Sequence, residues 1–175
     1  MKREVYLIGM ISTENINKIM EEIRKLYEGN PEEEVTLLIG SGGGAIGAAL
    51  SFYEWIKIKN IRLVTVAIGE VSSAAVIIFL SGQKRKATPN SFFALHKGGS
   101  FKEDIRMALL RILSPSRYRD ESDWWKTYKK FEVEIVKKET KISSEEIEKA
   151  LTKEHLILPA TEALRCGLIH EIISL

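Results

Sequence analysis

Val35 to Ile39 is an apolar run that ends in Gly40-Ser41-Gly42-Gly43-Gly44, with a helical pattern beginning near Ala45. A strand that is apolar without alternation is covered on both faces, the usual condition of a parallel sheet between helices. A glycine-rich turn that runs straight into a helix brings side-chain-free backbone and unpaired N–H groups to one place. The same alternation runs through the first two-thirds of the chain. Val5-Tyr6-Leu7-Ile8 is a short strand, and from Thr13 apolar residues recur at helical spacing (Ile16, Ile19, Met20, Ile23, Leu26, Tyr27) until Gly29-Asn30-Pro31 stops them. A helix from about Ala45 to Lys59 leads to a second buried strand, Ile61 to Ile68. Gly69-Glu70-Val71 reads as a turn into an apolar helix from Ser72 to about Leu80, and Phe92-Phe93-Ala94-Leu95 is a strand ending at His96. Strand–helix alternation predicts an α/β fold with right-handed crossovers.

The last third differs. From Phe101 to Lys149 it is charged and helical, with a break at Ser114-Pro115-Ser116. Ser143 and Glu146 form a capping box, Pro159 and Gly167 bracket a final helix, and Ile169 to Ile173 reads as a strand. The expected organisation is a single domain over 1–175: an α/β head (1–100), a helical arm (101–150) and a return to the head (151–175). Trp124, Trp125, Tyr128 and Phe131 sit among charges in the arm and are expected to face a partner.

Composition narrows the function classes. A net charge of +2 gives no field that would attract nucleic acid or an anionic membrane. No apolar stretch approaches the roughly 20 residues of a membrane span, and the N-terminal run is too short for a signal-peptide core. One cysteine, Cys166, builds no internal disulfide, so a cytoplasmic protein is expected, with Cys166 a packing residue. No metal or cofactor is called for.

Three local patterns bear on chemistry. Gly42, Gly44 and Gly47 satisfy G-x-G-x-x-G between a strand and a helix, a dinucleotide fingerprint with Glu70 as the acidic residue, but Glu70 lies later than the usual spacing. The same glycines also suit a backbone that lies against a peptide and donates N–H groups to an oxyanion, or a tight turn alone. Ser72 and Ser73 stand where a strand meets a helix, a place for a helix cap or for a nucleophile near unpaired N–H groups. His96, one of three histidines with His155 and His170, ends a strand and could serve as the base such a serine needs.

Taken in order, Gly40-Ser41-Gly42-Gly43-Gly44, Gly69-Glu70-Val71-Ser72-Ser73-Ala74, Pro89-Asn90-Ser91-Phe92-Phe93-Ala94-Leu95-His96 and Ala160-Thr161-Glu162-Ala163-Leu164-Arg165-Cys166-Gly167-Leu168-Ile169 resemble the Clp protease proteolytic subunit, from Val5 to the C-terminus. The resemblance implies a spiral of strand–strand–helix units shared with the crotonases. It implies a serine endopeptidase of extended or unfolded polypeptides, with Ser73 as nucleophile, His96 as base and the N–H groups of Gly43 and Ala74, flanked by Gly42 and Gly44, as the oxyanion site. It implies two stacked heptameric rings of this chain and an ATPase unfoldase partner. The family's triad ends in an aspartate. Counting back from Gly167, His155 stands in that place; counting forward from Ser143, Glu154 does. A carboxylate suits the role better, because it stabilises the imidazolium. Three further departures stand out. The N-terminal segment that docks the ATPase is missing, Lys97 replaces a usual glutamine, and the arm has an insert around Ser114 to Glu121. The alternatives are a catalytically weak or inactive structural or regulatory subunit, a crotonase-like acyl-CoA enzyme and a dinucleotide-binding protein.

Overall fold

A computed structural model describes residues 3–97 and 101–174, without the side chains of 101–104, 107 and 118–122. Fourteen elements follow one another among them: β1 Glu4–Ile8, α1 Thr13–Gly29, β2 Val35–Ser41, α2 Ile46–Lys59, β3 Leu63–Ser72, α3 Ala74–Leu80, β4 Lys84–Ala87, β5 Phe92–Leu95, α4 Phe101–Leu113, α5 Pro115–Glu139, α6 Ser144–Thr152, β6 Leu156–Pro159, α7 Ala160–Arg165 and β7 Glu171–Ile172. The sheet runs β1-β2-β3-β4-β7, all parallel; β5 pairs with the far end of β3, and β6 lies antiparallel to β5. This is the mixed α/β architecture with a parallel sheet that the strand–helix alternation predicts.

The core explains the apolar runs. Val35, Leu37 and Ile39 of β2 and every residue of α3 are buried, as are Ile16, Ile19 and Ile23 of α1. Each fully buried aliphatic side chain contributes about 1.5–3 kcal/mol relative to exposure. Ser12 caps α1 in a capping box with Asn15, and Ser143 does so for α6 with Glu146. Pro115, at the first turn of α5, marks the break in the arm. Among the described residues no helix is long and apolar enough to cross a membrane.

The expected turn at Gly69 is instead part of β3. Gly69 adopts φ +127°, a conformation few other residues take, and there the strand changes partner. Val64 to Ala67 pair with β4, and Glu70 to Ser72 pair with β5. The chain therefore reaches Ser73 as a strand, and α3 starts only at Ala74.

β4 carries the buried Arg85. Its guanidinium donates to the carbonyls of Leu168 (2.8 Å), Gly167 (3.0 Å) and Glu139 (2.8 Å) and to the Glu139 carboxylate (3.2 Å). Glu139 also accepts from the Tyr53 hydroxyl at 2.6 Å and pairs with Lys57 at 2.9 Å. Burial would raise the Glu139 carboxyl, but these partners outweigh it and hold the group below its usual range. The cluster clamps the end of α5 onto the sheet, which sets the course of that helix past the site.

Candidate active site

Ser73 is one of two non-glycine residues with positive φ among those described, at φ 55° and ψ −130°. Such a conformation costs on the order of 1–3 kcal/mol and persists only where its surroundings enforce it. The enforcement is local. The Ser73 N–H donates to the Ala94 carbonyl at 2.8 Å, tying the turn to β5, and the Ser73 carbonyl accepts from Val76 N–H at 2.9 Å as α3 begins. The Ser73 hydroxyl does not cap the helix; it is half-buried and unbonded to any described residue. Strained strand-to-helix turns of this kind hold nucleophilic serines in other hydrolases. The neighbouring Ser72 is buried and donates to Glu70 at 2.7 Å.

Gly43 presses on this turn. A methyl group added there would lie 2.7 Å from the Ser73 Cβ and 2.8 Å from the Ser72 carbonyl oxygen, and Gly43 itself has φ +98°. Its N–H donates to Ser41 Oγ at 3.2 Å, and Ser41 in turn donates to the Gly9 carbonyl at 2.6 Å. The Gly43 carbonyl accepts from Ile11 N–H at 2.8 Å, toward β1. In a trans peptide the next N–H points the opposite way, so Gly44 N–H faces β3 and Ser73. Gly44 is exposed. The Ala74 N–H, at the start of α3, is one of the donors that a helix leaves unpaired. Gly42 lies beside the Glu70 carboxylate, 3.7 Å from where its Cβ would be.

The base end is set by strand register. Ala94 pairs with Ser72, which puts His96 just past the sheet, beside the nucleophile turn. Leu95 pairs with Leu156 across the antiparallel β5–β6 ladder, which puts His155 opposite His96. The two imidazoles lie 5.9 Å apart, centroid to centroid, with planes inclined by 47°. His96 Nδ1 lies 3.0 Å from the Lys97 carbonyl. A carbonyl can only accept, so Nδ1 is the donor of this bond and Nε2 is the nitrogen left for another partner. Glu154 turns aside: its carboxylate pairs with Lys149 at 3.1 Å.

The structure thus gathers Ser73, Gly43, Gly44, Ala74, His96 and His155 at one spot and leaves the Glu154 carboxylate outside it. Gly98 and Gly99, which follow the base, lie outside the described residues. Sequence reasoning missed Ser41, whose role depends on a loop conformation that no spacing reveals. It also missed Glu132, a buried carboxylate on α5. Its signal was an acidic residue on the apolar face formed with Ile135 and Val136.

Comparison with known proteins gives the family and the fold. The Clp protease family profile matches residues 1–175. The ATP-dependent Clp protease proteolytic subunit of Deinococcus radiodurans is 24% identical over 178 residues, covering 99% of this chain and 82% of that protein. A mutant of ClpP1 from Listeria monocytogenes superposes with a TM-score of 0.81 at 23% identity, over 99% of this chain and 92% of that one. The fold is the ClpP fold, and its coarse class is a ClpP-like protease, a hydrolase. This chain belongs to the Clp protease family.

Proposed function

We propose that the chain is a serine endopeptidase that cleaves extended or unfolded polypeptides. The observation that carries the reading is Ser73, held at positive φ against Gly43 where a strand meets a helix, with no hydrogen bond from its hydroxyl to a described residue and with His96 at the end of the adjacent strand. Ser73 Oγ attacks the peptide carbonyl while His96 Nε2 takes its proton. Gly44 N–H and Ala74 N–H receive the oxyanion; Gly43 shapes the loop, and its own N–H stays with Ser41. His96 then protonates the leaving amine, and a water activated by the same imidazole hydrolyses the acyl-enzyme. His155 orients His96, because it faces that ring while Glu154 is paired with Lys149.

The family resemblance adds rings of seven subunits and an ATPase partner in the cytoplasm; the similar Deinococcus radiodurans protein is named as the proteolytic subunit of an ATP-dependent protease. Exposed Ile112, Leu113, Trp124 and Phe131 on α4 and α5 support association of copies. Tyr128 instead turns inward, its hydroxyl beside Gly47. A monomer of 19.8 kDa at micromolar concentration in sedimentation would remove the assembly from this reading.

A serine-reactive phosphonate is expected to label Ser73, and Ser73→Ala to lower turnover by on the order of 10⁶-fold on an unfolded substrate. Normal cleavage by Ser73→Ala would defeat the serine mechanism. The second reading, a weak or inactive subunit, is favoured by a histidine where the family has an aspartate and by the absence of a Ser73–His96 hydrogen bond. Absence of phosphonate labelling would select it.

A further inference from the structure

The mechanism leaves one buried ionisable group without employment. Glu132 is 8% exposed. Its carboxylate makes no hydrogen bond and no ion pair with a described residue. A buried carboxylate in that condition destabilises the fold. Yet among the described residues no fully enclosed side-chain oxygen lacks a partner, so the Glu132 oxygens reach solvent through a narrow opening.

The location of that opening follows from the neighbours of α5. One turn before Glu132, the Tyr128 hydroxyl lies beside Gly47, in the first turn of α2 and three residues from Gly44. Lys129 donates to the Leu151 carbonyl at 2.7 Å, at the end of α6 that leads to His155. Lys97, next to His96, repels the Lys129 ammonium. Residues 128 and 129 therefore span the gap between the glycine loop and the two histidines. Glu132 lies on their face of the helix, one turn deeper, where Ile135 and Val136 begin the core. The adjoining flank of α5 carries a groove lined by Leu50, Glu54, Phe131, Glu134, Ile135 and Lys138, and Glu132 is not part of that lining. Glu132 therefore lies between the α2 contact of Tyr128 and the α6 contact of Lys129, on the side of α5 that borders the glycine loop and the chain leading to His155.

We propose that Glu132 is a specificity residue of the peptidase site, its carboxylate receiving the side chain of a lysine or arginine in the polypeptide next to the scissile bond. The inference rests on the peptidase reading above. Burial raises the Glu132 carboxyl to about 7 despite the attraction of Lys129, so no resident cation satisfies it. Lys129 is committed to Leu151, and Lys97 acts on Lys129 rather than on Glu132. A guanidinium or ammonium arriving at hydrogen-bond distance supplies the missing partner, and in a partly dry niche a contact pair outweighs repulsion from charges farther off.

The test uses phosphonate probes that differ only in a lysyl, leucyl or glutamyl recognition group, above the Glu132 pKa of about 7. The lysyl probe is expected to label Ser73 at least about tenfold faster than the leucyl one, a difference in transition-state binding near 1.4 kcal/mol. Glu132→Gln, and as a second variant Glu132→Leu, should abolish that ratio. The new carboxyl and amino termini in digests of an unfolded protein, read by mass spectrometry, should lose their lysine and arginine enrichment in parallel. Labelling by the leucyl or glutamyl probe in preference to the lysyl one, or an unchanged ratio in both variants, overturns the role of Glu132 and leaves the peptidase intact. No labelling by any probe overturns the peptidase reading, and the specificity with it.

Discussion

The two ends of the site are built on different physics. The Ser73 end is made of backbone: a residue held at positive φ, a glycine against its Cβ, and a helix whose every residue is buried. The base end is made of side chains on strand ends. His96 is half-buried, His155 is exposed, and their rings approach without a hydrogen bond. A site of this kind has one half with no room to adjust and another whose orientation depends on which partner the imidazole finds. Substitutions at the first end should be all-or-none, and those at the second graded.

After removal of the Ser73 hydroxyl itself, the largest effect should come from Gly43→Ala. The added methyl meets Ser73 Cβ at 2.7 Å and a carbonyl oxygen at 2.8 Å, and backbone cannot yield as a flexible side chain would. The turn must shift, taking Ser73 Oγ and Gly44 N–H out of line together. Loss of one oxyanion donor costs on the order of 10²–10³ in kcat, so turnover should fall by about 10³-fold or more. Steady-state kinetics on an unfolded substrate would show it, and a loss of only a few-fold would mean that the Ser73 end is softer than described.

At the other end, His155→Ala should lower turnover by on the order of 10²-fold. That is less than the ~10⁴ seen when an anionic partner is neutralised, because a neutral imidazole orients without stabilising the imidazolium. Glu154→Gln should change turnover only slightly, since its carboxylate is paired with Lys149. The reverse pattern would move the third position to Glu154. If neither change exceeded a few-fold, the enzyme would work as a Ser73–His96 pair, with the Lys97 carbonyl holding the imidazole.

The same contrast explains what could be read from the chain alone. Ser73 and the glycine loop were legible because strand–turn–helix boundaries and glycines are local signals, and His96 because it ends an apolar strand. β4 was not legible: Lys84, Arg85 and Lys86 carry no strand signature, and Arg85 is buried only because four distant acceptors converge on it. The run of β3 through Gly69 was hidden for a related reason. A glycine that lets a strand change partner looks in sequence like one that ends it. Residue counting leaves His155 and Glu154 both open, because the β5–β6 ladder that sets His155 opposite His96 has no local trace in the sequence.

The smallest expected effect concerns stability and tests the niche that joins the two ends. The folded chain holds the Glu132 carboxyl at about 7, against an ordinary 4.5, chiefly through burial. The raised group retains its proton in the folded state over a range where the unfolded chain has released it. Below about pH 4.5 both states are protonated and Glu132 has no influence. Between 4.5 and 7 the unfolded chain binds fewer protons, so stability falls as pH rises. Above 7 the loss is complete, on the order of 3 kcal/mol at most. Glu132→Gln keeps the shape and removes the titration. Wild type and variant should therefore have equal midpoints in urea at the acid end of this range, and Glu132→Gln should be the more stable above neutrality. Parallel stability curves across the range would show that Glu132 ionises freely in the folded chain. The niche beside Ser73 would then be open to water rather than closed around a carboxylate that lacks its cation.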